Sequence, residues 1–417
     1  MTFFIKRYTL SNIRSGEIKT ELKGQVMIKK FLGGLVMGAV TLAAQVPDKP
    51  MFKILDKAHE ISPQKNVLLS PYSLLQCFGM VACGAGDKSG MELRRVLGLD
   101  ELTAKELQLA DESLKKSKNA EFVSCNSIIF RKDLVFQPDF VNKTVNLYKG
   151  KLYQVDFSRK AECVNMLNSM VAKESRNMFQ KVFREEHFAG DPMMVLMNVL
   201  YFKAMWWRKF DTFSTRNQLF TLADGAKYKV PMMADETRVP YFNNGKIHGI
   251  ILDYQERRFG MMFLMTTDPK LPLSTVTGYL GEKGIAEITA KASEEYKTRI
   301  RLPKLKLESD CDLVELLRKA GISELFNPQG GDLIHIVKNI DDPLYIDQAR
   351  QLIKLDLNER GTEMAAVTYA FAKAGSGRPM PEKKNTFYAD RPFVMVLFDR
   401  ETNAILLAGV INKPVEI

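Results

Sequence analysis

Hydrophobic and polar positions divide the chain into a helical first half and a strand-rich second half. From Pro50 to Asp111, apolar residues recur mostly at helical spacing. Within this region, SPYSLLQCFGMVACGA predicts a helix with Ser70 as its N-cap and Pro71 in its first turn. Residues 161–183 return to the helical pattern, and a later helix, DLVELLRKAGISELF, is predicted to end at Gly321.

Segments rich in β-branched and aromatic residues predict strands. EFVSCNSIIF is one, and MMVLMNVLYFKAMW is nearly all apolar, which suits a strand buried on both faces. Residues 218–263 predict several short strands, with turns at 223–225 and 243–245. FVMVLF and AILLAGVI close the chain. Since no linker separates the helical half from the strand-rich half, we predict one α+β domain with large sheets.

One segment between two predicted strands is too long for an ordinary connection. NERGTEMAAVTYAFAKAGSGRP separates LIKLDL from PFVMVLF, and connections of this length are usually functional or disordered. Its residues 362–374 favour strand and contain no Pro. In an extended chain, one face would carry only small side chains apart from that of Met364. Such a face suits a narrow slot between existing strands. An exposed surface loop is the alternative interpretation. The residues of that face are Thr362, Met364, Ala366, Thr368, Ala370, Ala372 and Ala374.

Residues 1–44 differ from the rest of the chain. Met27 begins MIKKFLGGLVMGAVTLAA, whose apolar run of about 14 residues is too short for a comfortable membrane span. The pattern indicates a secretory signal peptide cleaved near Ala43 or Ala44, with an N-terminal anchor as the alternative. We predict that translation starts at Met27, so that residues 1–26 are a spurious upstream extension, 27–44 the signal peptide and 45–417 the mature domain. If the codons for Lys23-Gly24 are AAA-GGA, they form a bacterial ribosome-binding sequence two codons upstream of the start at Met27. The protein would then be bacterial.

Charge and motif content argue against several function classes. Residues 1–44 carry +5 of the net charge of +11, which leaves the mature chain mildly basic. The cluster of Lys115, Lys116 and Lys118 lacks the interleaved aromatics of a nucleic-acid surface. The five cysteines are scattered, the four histidines lack metal-ligand spacing, and neither G-x-S-x-G nor a phosphate-binding loop occurs. We therefore predict no catalytic residues, no metal, no cofactor and no nucleic-acid partner.

Several motifs in a fixed order show that the chain resembles the serpins from Pro50 to Pro414. NVLLSPYSL resembles the family's N-x-x-x-S-P-x-S segment, and NVLYFKAMW resembles N-x-x-x-F-K-G-x-W, with Ala204 replacing the usual Gly. ADRPFVMVLFDRETNAILLAGVINKP is similar to the family's C-terminal strands. The resemblance implies several helices around large mixed or antiparallel sheets and an exposed reactive-centre loop at about 359–391. It assigns to a sheet-opening region Asn66, Ser70, Pro71, Ser73, Asn198, Trp206 and Gln351.

ERGTEMAAVT resembles the proximal hinge of the serpin reactive-centre loop. In that family, a protease cleaves the loop, which inserts as a new strand of the large sheet and traps the acyl-enzyme. Two departures from the family pattern are Met364, where the hinge usually has Ala, and Gln351, where a His is frequent. The larger Met364 side chain could slow insertion. The hinge residues implied are Glu359, Gly361, Thr362, Glu363, Met364, Ala365, Ala366, Val367 and Thr368.

The family register gives an expectation for the bond that is cut. This register places the cleaved bond sixteen residues beyond Glu359, between Gly375 and Ser376. A glycine before the cleaved bond, however, has no side chain for a protease pocket to bind. We therefore prefer Ala374–Gly375, which suits elastase-like or subtilisin-like enzymes. Lys373–Ala374 is the next choice and suits a trypsin-like pocket.

The resemblance implies a protease inhibitor rather than an enzyme. The expected partner is a serine protease, or a papain-like cysteine protease, held in a covalent 1:1 complex by a monomeric inhibitor. We expect the protein to be secreted or to reside in the cell envelope or periplasm, without a membrane segment after signal cleavage. A non-inhibitory serpin that acts as a binding or carrier module is the alternative, and an unrelated hydrolase is the third hypothesis.

Overall fold

The computed structural model describes residues 48–175, 177, 179–188, 190, 192–338, 340–341, 343–362 and 383–414. The predicted upstream extension and signal peptide lie outside the described residues. Most of the predicted reactive-centre loop, residues 363–382, also lies outside them.

Helices dominate the N-terminal part of the described chain, as the sequence predicts. Ser70 caps the second helix by accepting a hydrogen bond from the Ser73 N–H, and Gly321, at a φ of 99°, follows the last helix. In order, the α-helices are α1 Lys49–Ile61, α2 Pro71–Ala82, α3 Asp87–Leu97, α4 Glu101–Leu114, α5 Pro138–Tyr148, α6 Lys160–Glu174, α7 Ser274–Lys283, α8 Ile285–Lys291 and α9 Leu313–Ala320.

The prediction of helix over residues 161–183 is wrong at its C-terminal end, because α6 ends at Glu174. The Asn168 side chain accepts hydrogen bonds from the backbone N–H groups of Val182 and Phe183, at 2.7 and 2.8 Å. It also donates to the Phe183 carbonyl at 3.0 Å. These bonds hold residues 182–183 against α6 instead of letting them continue it.

The strands form three sheets and confirm the predicted α+β class. The central sheet has the order β11-β12-β13-β4-β2-β3, the second β1-β16-β15-β9-β8-β7, and the third β14-β10-β6-β5. The strands are β1 Val67–Leu69, β2 Ala120–Arg131, β3 Lys151–Val155, β4 Met194–Met205, β5 Arg216–Thr221, β6 Lys227–Arg238, β7 Tyr241–Asn243, β8 Ile247–Asp253, β9 Phe259–Thr266, β10 Lys297–Pro303, β11 Leu305–Asp312, β12 Gln348–Asn358, β13 Gly361–Thr362, β14 Lys384–Tyr388, β15 Phe393–Asp399 and β16 Ile405–Ile411.

Helix α2 packs against both the central and the second sheet and is almost wholly buried. Strands β9, β15 and β16 are buried at every position, which explains their nearly continuous apolar sequences.

Burial raises the pKa of the Cys77 thiol to about 12, so this residue acts as a small apolar side chain. Cys83 is only partly buried. In the described ranges every cysteine is free, and no helix is long and apolar enough to cross a bilayer.

A buried ion pair joins the second sheet to the end of α4. The guanidinium of Arg258 donates to both carboxylate oxygens of Asp399, at 3.0 and 2.9 Å. It also donates to the Ser113 carbonyl at 2.7 Å. The side chain of Asp399 is fully buried, so removal of Arg258 would leave a buried carboxylate without a counter-ion, and removal of Asp399 would leave Arg258 only the weaker pair with the exposed Glu401.

We expect Asp399→Ala to lower the free energy of unfolding by about 3 kcal/mol, because it leaves the buried Arg258 guanidinium with only the exposed Glu401 carboxylate, 3.6 Å away, as its ion-pair partner. Denaturant unfolding followed by circular dichroism measures this loss. Glu308→Ala is the control, since it breaks the partly exposed ion pair with Lys354 and should change stability by less than about 1 kcal/mol. Equal effects of the two substitutions would contradict the expectation.

Candidate functional site at the opening of the central sheet

Two strands of the central sheet are joined at one end and held apart at the other. Strands β4 and β12 pair in parallel from Val195–Leu200 against Gln348–Ile353. Beyond this ladder, the short strand β13 lies between them, and Thr362 pairs with Leu357 on one side and Ala204 on the other. The start of the predicted hinge is therefore already a member of the sheet.

Thr362 is fixed by an aromatic pair beneath the sheet opening. Its side chain is buried, and its hydroxyl lies 2.6 Å from the hydroxyl of Tyr254. The Tyr254 ring stacks on Trp206, with ring centroids 4.3 Å apart, and the Trp206 indole N–H donates to the Asn358 carbonyl at 3.0 Å. Burial raises the pKa of Tyr254 well above its usual value, so its hydroxyl stays protonated. Sequence reasoning selected Trp206 and Thr362 but missed Tyr254, which no motif identified.

Gly361 occupies a place where no side chain fits. Its φ is +150°, and a Cβ added to it would lie 2.1 Å from the Ala204 carbonyl oxygen and 2.7 Å from the Met205 Cα. Both of these atoms belong to the backbone of β4, so displacing them would disturb the strand itself. The glycine of the hinge motif thus allows the chain to turn into the gap between β4 and β12.

Glu359 anchors the turn that precedes β13. Its carboxylate accepts a hydrogen bond from the Thr215 hydroxyl at 2.8 Å and pairs with Lys304 at 3.0 Å. Its carbonyl accepts from the Phe210 N–H at 2.9 Å. Burial raises the pKa of this carboxyl, but hydrogen bonds from its own N–H, Lys304 and Thr215 outweigh burial and leave the pKa below its usual value. Sequence analysis did not assign Thr215 or Lys304 to the site.

A buried hydrogen-bond network crosses the joined part of the two strands. The Gln351 amide accepts from the Ser70 N–H at 2.8 Å and donates to the Ser70 carbonyl at 3.2 Å and to Asn198 Oδ1 at 2.7 Å. Gln351, Ser70 and Asn198 are fully buried. One side chain of β12 therefore binds both α2 and β4 at the level where the parallel ladder closes.

The network continues into β2 through residues that the sequence did not reveal. Asn198 donates to Asn126 Oδ1, and Asn126 donates to Gln76 Oε1 at 2.8 Å. Ser73, which the resemblance selected, lies 2.7 Å from Ser124, hydroxyl oxygen to hydroxyl oxygen. Neutral side-chain hydrogen bonds thus tie α2 to three neighbouring strands.

The other predicted residues lie elsewhere or outside the described part. Asn66 is not part of the network, since its side chain binds the backbone of Asn412 and Lys413. Pro71 starts α2 beside Ser70. The hinge residues 363–368 and the scissile-bond candidates 373–376 lie outside the described residues. No group of metal-binding side chains occurs in the described segments.

We expect Gly361→Ala to displace the hinge from the sheet or to lower the free energy of unfolding by about 1–3 kcal/mol, because of its clash with β4 and its disfavoured φ. Amide hydrogen exchange of residues 204–206 measures the displacement. Gly278→Ala is the matched control: it lies in α7, where an added Cβ meets nothing within 4 Å. If the amides of residues 204–206 exchanged at the wild-type rate in Gly361→Ala and stability were unchanged, the close approach of Gly361 to β4 would not constrain the hinge.

The docking of the hinge should weaken in acid. Since the Glu359 pKa is lowered in the folded protein, its stabilising contribution is present above the ordinary Glu pKa of about 4.3 and is lost as the pH falls through the lower folded value. Tryptophan fluorescence reports this loss during a titration from pH 7 to 3, because the backbone N–H of Trp206 donates to the carbonyl of Arg360, the residue after Glu359. Glu359→Gln should remove the transition, and Glu308→Gln should retain it. An identical transition in Glu359→Gln would assign it to another group.

Comparison with known proteins agrees with this architecture. The family model described as "Serpin (serine protease inhibitor)" matches residues 48–414. Mouse glia-derived nexin is 28% identical over 363 residues, which cover 84% of this chain and 88% of the relative. Bovine plasminogen activator inhibitor 1 is 26% identical and is covered to 90% of its length by 87% of this chain.

Solved structures share the fold at low sequence identity. The thermophilic serpin tengpin in its native state has a TM-score of 0.78 at 23% identity, with 88% of this chain and 94% of that one covered. A complex of thyroxine-binding globulin with thyroxine has a TM-score of 0.77 at 22% identity, with coverage of 88% and 98%. The family match extends over almost all described residues, and the relatives matched by sequence include proteins named as protease inhibitors. The chain therefore belongs to the serpin family, which is a family of protease inhibitors and not of enzymes.

Proposed function

We propose that this serpin is a suicide-substrate inhibitor that traps a serine protease by inserting its cleaved loop into the central sheet. The observation that carries this proposal is the position of Gly361 and Thr362 between β4 and β12. These residues already form the first pairs of an additional strand. Extension of β13 along the same gap needs no new direction of the chain, only separation of the two strands below it.

Insertion would supply both displacement and free energy. Roughly 15 inserted residues at about 3.3 Å each would carry a tethered protease about 50 Å. At about 1 kcal/mol per net backbone hydrogen bond, the new strand would release on the order of 10 kcal/mol. This amount is comparable to the whole stability of a typical domain, which is enough to keep a distorted acyl-enzyme from recovering.

The buried network is positioned to act as a latch on this movement. Gln351 on β12 bonds directly to Asn198 on β4, across the pair of strands that must part. Separation would break this bond while the bonds of Gln351 to Ser70 tie β12 to α2. Because a buried amide without a partner costs about 1–3 kcal/mol, the latch would hold the sheet closed until the inserting strand offers replacement partners.

The hinge composition favours inhibition over the carrier alternative. Of the residues proposed to face the sheet, only Met364 is large, and its unbranched side chain adapts to irregular gaps. Thyroxine-binding globulin, whose structure was solved in complex with thyroxine, shares this fold, so the fold alone does not decide between an inhibitor and a carrier. A carrier whose loop never inserts would not require small residues along one face of residues 362–374.

The N-terminal sequence supports export of the inhibitor. We propose that residues 27–44 direct secretion to the extracellular space or cell envelope and that the serpin domain begins near residue 45. The mature protein would act there as a monomer, since the covalent complex requires one loop and one protease.

Thr362→Arg tests the mechanism. The substitution places a charge with no partner in a buried strand position, so it should abolish stable complexes while cleavage of the loop continues. Incubation with elastase-like, subtilisin-like and trypsin-like proteases, followed by a denaturing gel, separates complexes from cleaved serpin. Thr386→Arg is the matched control on the exposed face of β14 and should inhibit like the wild type. If the wild type itself were only cleaved and formed no complex, the carrier alternative would replace inhibition.

The cleaved bond has a separate test. We propose Ala374–Gly375 as the scissile bond, with Lys373–Ala374 next. N-terminal sequencing of the C-terminal fragment released on complex formation distinguishes them, since the fragment would start at Gly375 or at Ala374. A fragment that starts beyond Ser376 would show that the register from Glu359 is wrong.

A further inference from the structure

A large cleft lies beside the hinge and shares Trp206 and Arg360 with it, but the proposed loop insertion does not enter the cleft. It has a volume of about 1000 Å³ and lies between the segment that follows β4 and the strands β6, β10 and β14. Trp206, Trp207, Phe210 and Tyr388 supply its aromatic lining. Trp207 is 58% exposed, which is unusual for so large an apolar side chain. Trp206 and Phe210 are buried in the wall, so the flat apolar surface that the cleft offers to solvent belongs to Trp207 and, in part, to Tyr388.

The charged groups of the cleft leave a positive excess. Its carboxylates are already engaged: Asp235 pairs with Arg208, and Glu236 pairs with both Arg299 and Lys384. The third, Asp211, accepts hydrogen bonds from the backbone N–H of Phe213 and the hydroxyl of Ser214. Three lining cations remain without an ion pair to any described residue. They are Lys209, Arg301 and Arg360.

We propose that this cleft binds a small amphipathic organic anion with a planar aromatic body and a carboxylate or sulfonate group. The exposed ring of Trp207 would stack on the body of such a ligand, and the guanidinium groups of Arg301 and Arg360 would bind its acid group, with two N–H donors each in a planar fork. Arg301 already lies over the ring of Tyr388, at 4.3 Å from the centroid, so one cation is held next to an aromatic surface.

The dimensions of the cleft favour a small ligand over a macromolecule. Pockets for small organic molecules have volumes of about 300–1,000 Å³ and combine apolar walls with a few polar groups, as this cleft does. Binding of such an anion would be a function separate from protease inhibition, and it needs neither cleavage nor insertion of the loop. It can therefore be measured on the uncleaved protein whether or not the protein inhibits a protease.

The chain itself supplies a local reporter of binding. Its only two tryptophans, Trp206 and Trp207, both line the cleft. The probe is 1-anilinonaphthalene-8-sulfonate, an aromatic sulfonate that accepts excitation energy from tryptophan. The matched probe N-phenyl-1-naphthylamine has the same aromatic body without the sulfonate. Full-length mature protein is titrated with each, and energy transfer from tryptophan is recorded.

We expect saturable energy transfer at one sulfonate probe per chain, with much weaker binding of the neutral probe. Arg301→Gln and Arg360→Gln should each weaken the sulfonate by about tenfold, the loss expected for one charged hydrogen bond, and leave the neutral probe unchanged. Lys105→Gln, on the exposed surface of α4, should bind like the wild type. Equal affinity for both probes, absence of saturable transfer, or unchanged sulfonate affinity in both arginine variants would overturn the proposal.

Discussion

Thr362 separates two strands that, a few residues away, are paired directly with each other. Below it, β4 and β12 form a parallel ladder, and at its level Leu357 and Ala204 each pair with Thr362 instead. The rest of the site follows from this arrangement. Gly361 permits the entry of the chain, Glu359 anchors the preceding turn to Lys304, and Trp206 with Tyr254 forms the surface on which Thr362 is held.

In the proposed mechanism, the buried network gives this arrangement its resistance to opening. A core of apolar side chains at the same place would separate or close with little preference for one register. Directional bonds from Gln351 to Ser70 and Asn198 instead fix the positions of α2, β12 and β4 relative to each other. The same bonds must break for a strand to enter. Under the proposed mechanism, such a network would combine a well-defined native state with a barrier to strand separation.

The sequence predicted the parts of the site better than their connections. Motifs selected Ser70, Asn198, Trp206 and Gln351, whereas the strand-like segment after Thr362 stays a prediction, since residues 363–382 lie outside the described part of the chain. The partners Asn126, Tyr254 and Lys304 were missed, because each is far from the hinge in sequence and becomes a neighbour only through sheet pairing. The helix predicted to residue 183 was too long for a related reason: the Asn168 side chain, by binding the backbone of residues 182–183, overrides the local helical periodicity.

The central claim is that the native sheet is incomplete and that loop insertion completes it. The most direct measurement is the thermal midpoint of unfolding before and after a single cut between Phe371 and Arg378, by circular dichroism on otherwise identical samples. A completed sheet would gain on the order of 10 kcal/mol, so the account predicts a rise in midpoint of tens of degrees after cleavage. An unchanged or lower midpoint in the cleaved protein would contradict it.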